Sequence, residues 1–452
     1  MVASVAAVGL LTDRALDAGD FGLAAAMNIV VGAALLVSAG RLTRAEPRLL
    51  ALLAALFGAW LVLRASPWLL WPDLIAAVGF LGLASTYARA GSLLDIGTAE
   101  VMARAINAIG HVMAGAGFIA RPVLSIRGRV SALGPVARGL LIALPICGLL
   151  AGLLASADPV FASFFKLNID LGHLLADVGF AIIGALAMAG VLRLASAEPV
   201  AKVDGPSWRL GATEALVVLA LLDAVFAAFA VAQLLAASGA ATATLKSVGV
   251  TYSDYARSGF FQLLWVGGIT LFVLILFSRI TGLSNPEHKW AFRVLCAIAI
   301  ALTLMIVVVA FRRLSLYEDA YGFTMLRLYS HIFAGWLAVV FLLLATEVLG
   351  FRARRRWFVG ATVASATVVL LALNLVNPEA VVVALNIDHA QASHKIDALY
   401  LQELSSDATP ALLQSAMTLK IACEDSQPYQ PTVWAFNLSE SNAAQARAAA
   451  CP

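Results

Sequence analysis

The residues with the most chemical potential are ionisable side chains inside long apolar stretches. Each charge there is costly, so each is a functional hypothesis by default. Asp177, Glu214, Asp223, Arg327, His331 and Glu347 meet that description. Asp223 sits near the middle of its stretch and is the least able to reach water. Arg327 and His331 are four residues apart, so on a helix they share a face. Pairing Arg327 with Asp223 or Asp177 would neutralise both charges, either as a static ion pair or within a transport site. A proton relay through Asp177, Asp223 and His331 is a further arrangement that these residue types allow.

A second concentration of polar residues lies between the apolar stretches. Asp158 follows one of them. Tyr252-Ser253-Asp254-Tyr255-Ala256-Arg257 separates another two, and Tyr317 and Glu318 lie in the segment 312–322. Tyrosine and arginine at a membrane boundary commonly act as interfacial anchors. Here they are interleaved with acids, which is more than anchoring needs. Asp158, Tyr252, Tyr255, Arg257, Tyr317, Glu318, Arg327 and His331 therefore form a candidate polar site whose carboxylates could act as bases or metal ligands.

Familiar catalytic signatures are missing. There is no His-Glu-x-x-His helix, Walker loop, Gly-x-Ser-x-Gly elbow or Cys-x-x-Cys pair. Asp388-His389 and His394 offer two imidazoles, but their five-residue step separates them on a helix and no third ligand is evident. That segment reads as a solvated helix start. No metal and no cofactor is called for.

The elements that must position these residues are long apolar runs. A hydrocarbon core about 30 Å thick needs about 20 mostly apolar residues to cross it as a helix. Such runs occur at 22–40, 136–155, 171–192, 211–238, 259–278, 294–311, 321–349 and 357–375, with shorter ones at 1–11, 49–63 and 68–88. Of the 452 residues, 62% are hydrophobic and 13% charged, against about 25% charged in soluble domains. The expected fold is all-α, a polytopic transmembrane bundle of about eleven spans. Its first helix is short and runs into Asp13, Arg14, Asp17 and Asp20, and does not read as a cleaved signal peptide. A net charge of +3 is too small to suggest a nucleic-acid partner, no basic–aromatic stretch supports one,, and the lipid bilayer is the partner implied.

Basic residues set the orientation, because cytoplasmic loops retain them. With the N-terminus inside, 19 of the 30 lysines and arginines fall in inner loops, including the clusters 121–138 and 352–356. The C-terminus is then outside. The inner loop 89–135 carries an apolar-and-polar stretch, 105–120, that suits an interfacial or re-entrant helix. Residues 1–375 form the membrane domain, and 376–452 form an acidic extracytoplasmic tail. Short helices are expected in the tail over 397–416, interrupted by Pro410, along with a surface for a protein partner. In an oxidising compartment Cys423 and Cys451 could form a disulfide; the alternative is two unpaired thiols in a loosely ordered end.

Several of these motifs also resemble a known family. Tyr252-Ser-Asp-Tyr-Ala-Arg257, Leu316-Tyr317-Glu-Asp-Ala-Tyr321-Gly with Arg327-Leu-Tyr329, Asn377-Pro378-Glu-Ala, Asp158-Pro-Val-Phe, and Asp397-Ala-Leu-Tyr400 with Asp407-Ala-Thr-Pro410 are similar to those of a bacterial membrane family of unknown function, DUF4173, and its relative DUF4153. The resemblance covers residues 135–415. It implies a bacterial cytoplasmic-membrane protein and brings no reaction, substrate or cofactor. Three classes of function stand: a transporter reached from the outer side, an enzyme acting on a lipid or lipid-linked substrate at the outer leaflet, and a sensor or assembly protein that binds a partner. Transport ranks first because of the buried charges.

Overall fold

A computed structural model describes residues 2–18, 21–40, 42–113, 171–198, 209–237, 260–350, 357–424 and 429–451. Among these the regular structure is all helical, apart from one isolated bridge between Leu210 and Thr281. The N-terminal group comprises α1 (Val2–Asp17), α2 (Leu23–Ala39), α3 (Ala45–Leu63), α4 (Pro67–Thr86), α5 (Thr98–Met113) and α6 (Leu171–Ser196). The second group comprises α7 (Ala212–Ala237), α8 (Phe260–Ile280), α9 (Pro286–Tyr321) and α10 (Met325–Val348). Next comes α11 (Phe358–Val376), whose Val359 packs against the cores of both groups. The chain ends in α12 (Pro378–Ser393), α13 (Ala398–Gln402), α14 (Thr409–Leu413), α15 (Leu419–Glu424) and α16 (Leu438–Ala450).

Eight of the described helices are long and apolar enough to cross a membrane, and α2 is a shorter apolar helix of 17 residues. The chain is a polytopic helical membrane protein. Ten of the eleven apolar runs coincide with helices; the run at 136–155 lies outside the described residues. Without a hydrophobic drive between helices in lipid, close packing rests on small residues. A Cβ on Gly9 would stand 2.4 Å from the carbonyl oxygen of Ala181, and one on Gly58 would stand 2.5 Å from the side chain of Ile29.

Two expectations require correction. The segment 312–321 is not a loop but the continuation of α9, which runs for 36 residues, about 54 Å at 1.5 Å per residue. Its charged residues read as a loop, yet Leu314 and Glu318 continue the buried face one turn apart. The helix ends at Gly322, whose φ of 76° and close approach to Asn386 exclude a side chain,. Likewise Asp388 and His389 lie at the end of α12, not at a helix start, and His394 closes it in a left-handed conformation. The stretch read as interfacial is helical up to Met113 as part of α5; its remainder lies outside the described residues.

Candidate functional site

Chain reversals bring the starts of α2, α4 and α10 and the ends of α1, α3, α9 and α11 to the same end of the bundle as the tail. Helix starts there carry backbone N–H groups with no partner in their own helix, and the tail supplies those partners. The amides of Leu23 and Ala24 donate to the carbonyls of Phe436 and Trp434, at 2.9 and 3.0 Å. Those of Ala65 and Ser66 donate to the Asp407 carboxylate at 3.2 and 3.1 Å. The Met325 amide donates to the Tyr400 hydroxyl oxygen at 2.6 Å, and the Phe323 amide to Asn386 Oδ1 at 3.0 Å. Asn437 both caps α16 and donates to the Arg64 carbonyl at 2.8 Å. The tail is thus a fitted cover for this end, and its motif residues Asn377, Tyr400 and Asp407 hold it there.

Beneath the cover lies a buried polar layer. Glu379 and Asp407 are each 1% exposed and Asp73 is fully buried. Asn374 donates to Asp73 at 2.7 Å, and Arg64 Nε donates to the Asn374 carbonyl at 3.0 Å. Burial raises the Glu379 carboxyl above its ordinary range; the Ser405 hydroxyl, which donates to it at 2.7 Å, partly offsets this. Burial likewise raises the Tyr400 phenol, against the lowering effect of the Met325 amide.

Alongside this layer, the last turns of α9 meet the first turns of α10. Thr324 caps α10, and from there Arg327 and His331 face back toward α9. The Arg327 guanidinium lies 4.2 Å from the centre of the Tyr317 ring and also donates to the carbonyl of Gly322. His331 Nδ1 lies 3.1 Å from Oε1 of the buried Glu318, while its Nε2 lies 3.3 Å from Ser315 Oγ. Phe311 meets the imidazole edge-on at 4.1 Å between ring centres. The structure therefore brings together Tyr317, Glu318, Arg327 and His331, and adds Ser315. Chemically, an acid that accepts Nδ1–H leaves Nε2 free to take a proton from a hydroxyl.

The proposed pairing of Arg327 with Asp223 or Asp177 does not form. Arg327 is engaged by its own helix entry, whereas both carboxylate oxygens of Asp223, in α7, are buried with no hydrogen-bond partner among the described residues. Asp177 lies on α6 near Asp17 and His173. With His331 paired to Glu318, these three groups do not form a relay. Glu347 pairs with Arg279 at 2.7 Å near the opposite end, and Glu214 accepts from the Gly211 amide at the start of α7. Asp158, Tyr252, Tyr255 and Arg257 lie outside the described residues. Cys423 and Cys451 are joined as a disulfide within the tail.

Sequence reasoning passed over Asp73, Asn374 and Asn437, counted Arg64 only among the basic residues, and saw Glu379 and Ser315 only as parts of a motif and a segment. The available signal for Asp73 was a carboxylate five residues into the apolar run 68–88. Ser315 and Glu318, three residues apart, share a helix face only once the segment is known to be helical. No match was found among curated proteins or among solved structures. The second of the two families named above matches residues 51–415, a stretch that begins within α3 and so takes in most of α3 and all of α4, which the motifs did not cover, but not α1 or α2. With that match spanning most of its length, the chain belongs to the family described as a domain of unknown function, DUF4153.

Proposed function

We propose that this protein is a membrane enzyme that cleaves or transfers an ester-linked group of a lipid at the tail-bearing surface. The observation that carries the reading is the His331 imidazole held between Ser315 Oγ and Glu318. In this reading Glu318 fixes the tautomer, and Nε2 takes the Ser315 proton as Oγ attacks the ester carbonyl carbon. His331 then returns that proton to the departing alkoxide, and water or a second alcohol releases the acyl group by the reverse steps. A groove of about 420 Å³ supports a lipid substrate. It lies between α8 and the first turns of α10, lined by Phe261, Trp265, Leu326, Tyr329 and Phe333. The tail disulfide and the basic loops at the opposite end support the outer leaflet of a bacterial cytoplasmic membrane as its location.

A fluorophosphonate probe, which reacts with activated serines, tests the reading on the purified full chain. The expected result is labelling of the peptide containing Ser315, lost in Ser315→Ala and in His331→Gln while both variants keep the wild-type melting temperature. Undiminished labelling in His331→Gln, or no labelling of Ser315, would sink the proposal.

Asp223 favours a second reading, transport. A carboxylate that is 7% exposed, with no partner for either oxygen among the described residues, is suited to carry a proton across the span,. Proteoliposomes under an imposed pH gradient should then leak protons faster with wild-type protein than with Asp223→Asn; equal rates rule this role out.

A further inference from the structure

The far side of the same bundle end carries a second constellation. On α1, Asp13 and Asp17 are one turn apart; on α6, His173 and Asp177 are one turn apart. Each pair projects from one helix face, and the two helices run antiparallel with the pairs opposed. Ligating atoms of Asp17, His173 and Asp177 all lie within 4.8 Å of one another, and His173 Nδ1 is 3.9 Å from Asp17 Oδ1. Asp13 adds an independent observation. It is 3% exposed, its Oδ1 is buried with no hydrogen-bond partner among the described residues, and the charges acting on it are those of Asp177, Arg14 and Asp17. A bare carboxylate oxygen that faces two more carboxylates is unfavourable unless something positive lies between them.

The helices that carry these groups are held rigidly. A Cβ on Gly184 would stand 2.1 Å from Thr12 Oγ1, so α1 rests directly on the backbone of α6. Thr12 is itself fixed, since its hydroxyl donates to Val8 at 2.9 Å and accepts from Asn28 Nδ2 at 2.9 Å. Arg14, half exposed, reaches Asp13 and Asp17 only at 3.9 and 4.0 Å, which leaves the three carboxylates under-neutralised.

We propose that Asp17, His173 and Asp177, with the buried carboxylate of Asp13 adding negative charge beside them, form a binding site for one divalent transition-metal ion of the Zn²⁺ or Mn²⁺ class. Two carboxylates and one imidazole match the oxygen-and-nitrogen ligand sets of those ions, with water completing the coordination, and the imidazole argues against Mg²⁺ or Ca²⁺,. Two i,i+4 pairs on facing helices are also how bundle proteins build metal sites in general. The bound ion would cross-link α1 to α6 at the membrane surface.

The test uses the full chain in detergent, stripped with a chelator and dialysed against Mn²⁺ or Zn²⁺ alone. One ion per chain should bind, with Mn²⁺ also visible by paramagnetic resonance. His173→Ala should weaken binding by at least about tenfold, the size of loss that even outer-shell partners of a ligand produce. Asp177→Asn should abolish it. His173 is 73% exposed, so the metal-free His173→Ala protein should melt with metal-free wild type, which separates ligation from folding. Wild-type affinity in both variants, the absence of stoichiometric binding, or equal preference for Mg²⁺ would each overturn the site.

Discussion

Asp407→Ala is expected to loosen the whole tail-bearing end and to lower stability by at least about 3 kcal/mol, because each buried donor left without its acceptor costs about 1–3 kcal/mol. Three donors depend on this one carboxylate: the amides of Ala65 and Ser66 and the hydroxyl of Ser439. Its backbone carbonyl also receives Asn377 Nδ2 at 2.8 Å. Asp407→Asn keeps a single acceptor oxygen and should fall between wild type and Ala. Thermal unfolding in detergent, read together with protease cleavage of the tail, measures both effects. Unchanged melting with an equally protected tail would mean that the cover is held elsewhere.

Loss of the Cys423–Cys451 bond should have a comparable effect. Closing a loop with a sequence separation of 28 residues restricts the unfolded chain by about 3–4 kcal/mol in the loop-entropy account. Reduction or Cys451→Ser should therefore release α15 and α16 from each other and lower the melting temperature of the tail. In intact cells both thiols should resist a membrane-impermeant alkylating reagent until a reductant is added, then react with it. Cys296 is fully buried in α9, and Cys147, which lies outside the described residues, is replaced by serine so that the label reports on the tail alone. Alkylation without reductant would place the tail in a reducing compartment and reverse the proposed orientation.

The membrane elements were legible because hydrophobicity is local. A run such as 357–375 declares a span by its own composition, and α11 follows it closely. The cover was not legible in the same way. Asn437 and Arg64 lie 373 positions apart and Asp407 and Ser66 lie 341 apart, so no periodicity records their pairing. The family motifs Asn377-Pro378-Glu379 and Tyr400 to Asp407 marked the right residues without showing that they serve the tail's seat. The pairing of Glu318 with His331 was within reach, since both had been placed at one boundary. Arg327 misled: its charge suggested an acidic partner, while the structure satisfies it with Tyr317 and a helix-entry carbonyl. Opposite charges in separate spans say nothing about distance until packing is known.

The cover over the helix starts also has a meaning in time. The chain is made from its N-terminus, and α2 and α4 enter the bilayer hundreds of residues before Phe436 and Asp407 emerge. Their first amides must wait, held by water or lipid headgroups, until the last segment has been synthesised and delivered to the same surface. Assembly is therefore completed from the end of the gene backwards: a ribosome that stops shortly after α11 would leave an intact set of spans that never closes.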